Sequence, residues 1–378
     1  MSQTPQEIIE RLFKNVIFLL IPSLVFTFLV LELFFRFVIH AAELPYSYFD
    51  SKFQLLRYDT NQKRDGVYTV GKYAHWPARW HINNMGWNSP IDYQVNGRTK
   101  PLIAIVGDSF VEGFNVNIGK TFSDLLRERE SLKDHYDIYS FGMSGANLSQ
   151  YYHMSRYVNQ VFSPQVLIIN FIYNDFDQLF TKDCRIGMLC LEETNAGTQE
   201  APIHPYVPSF LKRIARHSSF MRYLILNLGP DVIKWQRSKP AIKRNPSSDH
   251  GYAHSKTDQI AKAADYLFKK FRDENRDRKL IFILDGPRRE IYSNTVDKSW
   301  TFWMNQLVKE GCRKYSIEFI DMTGPFTEHY MKEHQPFDFP EDYHWNELGH
   351  QIVAETILNY LNRTEKPSGV IVEAASNK

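Results

Sequence analysis

Hydrophobic and polar positions follow three successive rhythms along this chain. From Val16 to Leu31 there is no charged residue, and after Glu32 the apolar run resumes as LFF, then continues past Arg36 through Phe37, Val38 and Ile39. The stretch exceeds the ~20 residues needed to cross a bilayer core. It is apolar on every face rather than along one stripe, which argues against a buried core helix. It is also longer than the about 7 to 15 apolar residues of a signal peptide, and the HAAE that follows matches a cleavage site poorly, so an uncleaved anchor is expected. Arg11 and Lys14 precede the run and favour a cytoplasmic N-terminus, which would leave the body of the chain in the periplasm or outside the cell.

The second rhythm, from about 41 to 98, is rich in aromatics, Asn and Gly, with short strand-like pieces such as VYTVGKY. It reads as a membrane-proximal segment. The third begins at Pro101, where the apolar runs LIAIVG, YDIYSF, VLIINFI, LIFILDG and IEFIDM alternate with helical stretches. Unbroken apolar runs suit strands covered on both faces, and their alternation with helices implies right-handed crossovers and a central parallel sheet, an α/β fold. Residues 258–276 and 347–361 carry apolar side chains at helical spacing. The stretch 180–256 is too long for an ordinary connection and is expected to form a cap or lid, with SSFMRYLILNLG as an amphipathic helix. The expected organisation is therefore 1–40 tail and anchor, 41–98 membrane-proximal segment, 99–363 main domain with that insertion, and 364–378 polar tail.

Composition narrows the options. With 378 residues, 43% hydrophobic and 23% charged, the chain can bury one sizeable core. A formal net charge of +2 gives no footprint for nucleic acid. The cysteines Cys184, Cys190 and Cys312 lack the paired spacing of a zinc site. Cys184 and Cys190 flank a short loop that would close as a disulfide in an oxidising compartment or remain two thiols, since spacing does not fix geometry.

Candidate chemistry lies at strand ends. LIAIVG runs into GDSFVEG, which sets Ser109 at the carboxyl end of a strand where a helix begins, the edge at which open parallel sheets bind ligands. A serine nucleophile needs a base, and the base an acid. EDYHWNELGHQIVAETI supplies His344 as base and Asp342 as its partner, with Glu341 and Asp338 as competing acids. HWN also reads as a helix-capping loop. An oxyanion needs aimed donors. GMSGAN and YNDF, at two further strand ends, offer the Gly145 N–H, with Gly142 as an alternative, and the Asn174 amide, to join the Ser109 N–H. Asp108 and Asp175 read as carboxylates bonded to loop backbone, and Trp345 as packing or, alternatively, as lining of the acyl or sugar site. GFNVNIGKT, from Gly113, has five residues between its glycines where a phosphate-binding loop needs four. No HExxH zinc pattern is present.

GDSFVEG, GMSGAN, YND and DYHWN, in this order, resemble the four blocks of the SGNH/GDSL hydrolase family from about Pro101 to Leu361. The resemblance implies a three-layer, flavodoxin-like fold, no metal or organic cofactor, and ester chemistry through an acyl-serine. It assigns Ser109 as nucleophile, Gly145 and Asn174 as oxyanion donors and His344 as base. Two departures stand out: Ile172 occupies the usual glycine of the third block, and Asp342 lies two residues before His344 where the family has its acid three before, a position held here by Glu341. Periplasmic alginate O-acetylation proteins are similar in their D-x-H-W pattern, which favours Asp342. The expected function is a membrane-anchored esterase or O-acyltransferase, with acetyl the expected group, acting on a cell-envelope glycan. Alternatives are a lipase or thioesterase acting on acyl chains, and a catalytically silent glycan-binding protein with envelope-assembly partners.

Overall fold

The five apolar runs form one parallel sheet: β1 (Leu102–Gly107), β2 (Asp137–Gly142), β3 (Val166–Phe171), β4 (Lys279–Leu284) and β5 (Glu318–Asp321), in the order β5-β4-β3-β1-β2. The computed structural model describes residues 5–172, 175–176, 179–180, 184, 186–229, 257–340 and 342–364. Every residue of β1 and β3 is buried, which explains why these strands read as unbroken apolar runs rather than as alternations.

Helices cover both faces, as expected for three layers. The first turn after β1 is α1 (Ser109–Glu112), and α2 (Phe122–Arg127), α3 (Leu148–Phe162), α4 (Thr257–Glu274) and α5 (Glu347–Thr364) follow. Ile103, Ile105, Ile168, Ile281 and Ile283 share one core with Phe122 and Leu126 of α2 and Ile352, Val353 and Ile357 of α5. The other face is aromatic. Phe282 meets Phe171 at 4.8 Å, Phe271 at 5.5 Å and Phe268 at 5.6 Å between ring centroids, and Phe141 meets Phe162 of α3 at 5.2 Å. Each such side chain, fully buried, contributes about 1.5–3 kcal/mol.

The chain divides into two compact units. One comprises 1–44, 66–78 and 207–243, the other 45–65, 79–206 and 244–378, which holds the sheet. In the first unit a helical run begins at Pro5, passes through a π-helical turn at Val16–Leu20 and continues as Ile21–Phe37. Its portion Phe13–Phe37 is long and apolar enough to cross a membrane by length and composition. Buried Asn227 stitches this unit, accepting the Ala42 N–H at 2.8 Å and donating to the Thr69 and Gly71 carbonyls, each at 3.2 Å. Before β1, short strands appear at Ser47–Asp50 and Leu55–Tyr58, paired antiparallel, and at Asp65–Val70 and His75–His81. The described part of the long insertion contributes a hairpin, Leu191–Thr194 with Gly197–Glu200, and short helices at Phe210–Ala215 and Ser219–Arg222. Cys184 and Cys190 are joined, and Cys312 is a buried thiol.

Candidate active site

The strand order puts β2 and β3 on either side of β1, so the loops that leave their carboxyl ends flank Ser109. Ser109 opens α1, whose N-cap is Asp108: its carboxylate accepts the Phe110 N–H at 3.0 Å. β2 ends at Gly142, where an added Cβ would lie 2.1 Å from the Glu112 backbone nitrogen, so the strand end and α1 touch backbone to backbone. Beyond it Gly145 adopts φ +74°, a left-handed turn closed by the Ala146 N–H on the Met143 carbonyl at 2.9 Å. Asn147 then caps α3 in a capping box with Gln150. The Glu112 side chain, buried, accepts hydrogen bonds from the Ser144 and Tyr58 hydroxyls and so ties α1 to the Gly145 loop. Gly142 thus belongs to the packing of the strand end, while Gly145 stands in the turn beyond it. After β3, Asp175 accepts the Ile172 N–H at 2.7 Å and the Tyr151 hydroxyl at 2.6 Å, as expected of a loop carboxylate. Asn174 lies outside the described residues.

The facing side is the loop before α5. His344 Nε2 is 2.8 Å from Ser109 Oγ, and its Nδ1 is 2.5 Å from Asp342 Oδ1, which also accepts the His344 backbone N–H at 2.9 Å. The second Asp342 oxygen accepts the Asn115 amide. Residues two apart meet here because Tyr343 between them takes φ +64°, a conformation that costs a non-glycine residue about 1–3 kcal/mol. Two arginines hold that turn. Arg288 donates to the Tyr343 carbonyl, and the Arg289 guanidinium lies 3.9 Å from the Tyr343 ring centroid. Arg288 is itself buried between Asp285 at 3.1 Å and Asp338 at 3.6 Å. Asp338 accepts the Tyr292 hydroxyl at 2.9 Å, so this competing acid is engaged with Arg288 and Tyr292. Glu341 lies outside the described residues. Asn346 caps α5 through the Gly349 N–H at 3.1 Å, and Trp345 is fully buried against Phe110 with its indole N–H on Asp285 at 3.2 Å.

Electrostatics fix the tautomer. Burial pushes the Asp342 carboxyl up, but the His344 ring and the hydrogen bonds from His344 and Asn115 outweigh it and hold Asp342 below the ordinary range. An ionised carboxylate only accepts, so Nδ1 carries the proton and Nε2 presents its lone pair to the Ser109 hydroxyl. Burial alone would lower the imidazole's pKa, yet the Asp342 charge and hydrogen bond leave it raised above 6.5. Burial lifts the Asp108 carboxyl to about 6. The single Ser109 proton can point to Asp108 Oδ2 at 3.2 Å or to the imidazole at 2.8 Å, and the imidazole is the shorter bond. A hydroxyl bonded to a neutral imidazole that is oriented by a carboxylate can surrender its proton as the oxygen attacks an acyl carbon.

Arg288, Asn115 and Glu112 were not singled out by the sequence reading. Asn115 sits inside the stretch discarded as a false phosphate loop, and its only signal is proximity to the GDS block. Glu112 lies one helical turn after Ser109, where a carboxylate buried beside a strand end has no local signature.

The family model for GDSL-like Lipase/Acylhydrolase matches residues 103–357. No curated protein sequence matches the chain. Similar solved structures include the acetyl xylan esterase AlAXEase, 12% identical with a TM-score of 0.37 over 69% of this chain and 99% of that one. A member of the lipolytic G-D-S-L family from Veillonella parvula is 13% identical with a TM-score of 0.40, over 69% and 98%. A lipase/acylhydrolase from Enterococcus faecalis is 12% identical with a TM-score of 0.38, over 71% and 100%.

Proposed function

The chain belongs to the GDSL-like lipase/acylhydrolase family, and from that premise we propose that Ser109, His344 and Asp342 carry acyl transfer from an O-acylated cell-envelope glycan, acetyl being the expected group. The observation that carries this reading is the unbroken chain of hydrogen bonds from Ser109 through His344 to Asp342. His344 takes the Ser109 proton as Oγ attacks the ester carbonyl, and Asp342 holds the imidazolium that results. The N–H groups of Ser109 and Gly145 and the Asn174 amide serve the oxyanion. His344 then returns the proton to the departing alcohol, and water or a sugar hydroxyl resolves the acyl-serine. Whether hydrolysis or transfer results depends on the exclusion of water from the site.

A saccharide is favoured by side-chain chemistry. An open cleft of about 470 Å³ in the sheet-bearing unit, lined by Phe53, Gln54, Arg156, Tyr157, Gln160 and Glu200 among others, presents ring faces and polar groups suited to a sugar chain; none of its lining residues belongs to the Ser109–His344–Asp342 chain, so in this reading it holds a part of the glycan away from the reacting ester. The D-x-H-W pattern of the final block agrees with O-acetyl chemistry. In this reading Phe13–Phe37 is a retained anchor with its N-terminus in the cytoplasm and the catalytic unit outside the membrane.

The test uses the full chain in detergent with a fluorophosphonate probe, short-chain aryl esters and a panel of acetylated glycans. Labelling at Ser109 and release of acetate from a glycan are expected. Turnover that survives Ser109→Ala would overturn the mechanism, and turnover confined to long-chain acyl esters would replace the glycan with a lipid substrate.

A further inference from the structure

Glu32 is the acidic residue within the apolar run Phe13–Phe37, and its carboxylate is fully engaged by the same unit. It accepts the Ser218 hydroxyl at 2.7 Å, the Ser219 N–H at 2.9 Å and the Phe220 N–H at 3.0 Å, and pairs with Arg36 at 2.7 Å. Aromatic rings add to the seam: Phe35 stacks on Tyr223 at 3.9 Å, and Phe28 meets Phe220 edge-on at 5.9 Å. A charge in a membrane span is costly unless partnered, and the first N–H groups of a helix, such as those of Ser219–Arg222, have no partner within the helix and are costly at membrane depth unless satisfied. Here each satisfies the other.

The depth follows from helix geometry. Glu32 lies five residues before Phe37, the end of the run, which at about 1.5 Å per residue is roughly 8 Å inside it. Elements that lie in a membrane interface bury about 5–10 Å into the boundary between headgroups and acyl chains. Residues that hydrogen-bond to Glu32 therefore sit at that depth when the run spans a bilayer. The flanking residues are suited to it. Val207, Phe210 and Ile214 are 76%, 66% and 53% exposed, and Phe210 and Ile214 lie one turn apart on the short helix Phe210–Ala215. Lys212 and Arg213, both exposed, stand between them, which complements anionic headgroups.

We propose that the segment Val207–Gly229 is a second membrane contact, an interfacial element clamped to the span through Glu32, which sinks Val207, Phe210 and Ile214 into one leaflet of an anionic bilayer. The inference rests on reading Phe13–Phe37 as a membrane anchor. It assigns the long insertion a role in lipid contact rather than in closing over Ser109.

The test uses the full chain in vesicles of phosphatidylcholine and phosphatidylglycerol. A bimane label is placed on Phe210→Cys, on Ile214→Cys and, as a reporter of the span, on Val25→Cys. Cys184 and Cys190 are joined and Cys312 is buried, so the introduced thiol takes the label. Lipids spin-labelled near the headgroup are expected to quench positions 210 and 214 at least about twofold, and lipids spin-labelled near the ends of their acyl chains are expected to quench position 25, at the middle of the run, while quenching of 210 and 214 by aqueous iodide falls about fivefold from that of free dye. Labels at 210 and 214 that stay open to iodide while position 25 is quenched by lipid overturn the inference and leave the anchor standing. Protection from iodide without lipid quenching also overturns it, because another protein surface then covers the segment. Loss of lipid quenching at position 25 removes the anchor, and this inference with it.

Discussion

Ser109 and His344 are 2.8 Å apart, yet the two stretches that carry them are held by different forces. Ser109 is placed by backbone: a buried strand, an Asp108 cap and two close-packed glycines, Gly107 and Gly142, leave its turn little freedom. His344 is placed by side chains brought in from elsewhere. Tyr343 beside it is in a conformation that side chains rarely adopt, and Arg288 and Arg289 hold it there. The nucleophile's position is thus written into local chain geometry. The base depends on an ion cluster drawn from distant parts of the chain.

Four experiments break or sharpen this contrast. Ser109→Ala removes the group on the rigid side and should lower kcat on an aryl ester by about 10⁶-fold, with fluorophosphonate labelling lost and circular dichroism unchanged. Asp342→Asn acts on the assembled side, with an expected loss of about 10⁴-fold in kcat. It also carries a pH signature. The active form needs neutral His344, whose pKa is raised above 6.5 with Asp342 present, so kcat/KM should fall as pH drops through that raised value. The Asn variant should shift this acid limb to lower pH. An unmoved limb would mean that another group titrates.

Arg288→Met tests the cluster. It leaves Asp285 and Asp338 buried without their cation, so urea unfolding should report a loss of about 3–5 kcal/mol, accompanied by reduced activity as the Tyr343 turn relaxes. Equal stability with full activity would contradict an assembled base. The smallest effect belongs to Glu112→Gln. It keeps one acceptor for the Ser144 and Tyr58 hydroxyls and should reduce kcat by about tenfold or less, with KM little changed.

The same contrast explains what could be read from the chain. All five strands were legible because strands buried on both faces leave unbroken apolar runs, and Ser109 was legible because GDS follows such a run directly. Helices α4 and α5 followed from their apolar spacing. Arg288 was not legible: it is 55 residues from the carbonyl it holds, and nothing in RRE marks a buried cation. The Tyr343 turn was hidden because its left-handed conformation falls on a tyrosine rather than a glycine. Asp342 could be ranked above Glu341 only by family likeness, since a spacing of two is compatible with contact in a loop but does not require it. The insertion was visible as a break in rhythm, but the bond from Glu32 to residues 218–220 joins positions 186 to 188 residues apart and leaves no periodic trace.

The contact at Gly142 limits how this scaffold could be re-engineered. A single methyl there would have to displace the main chain of the helix that bears the nucleophile, so libraries aimed at widening the acyl cavity should hold this position fixed and vary side chains farther out along the loops.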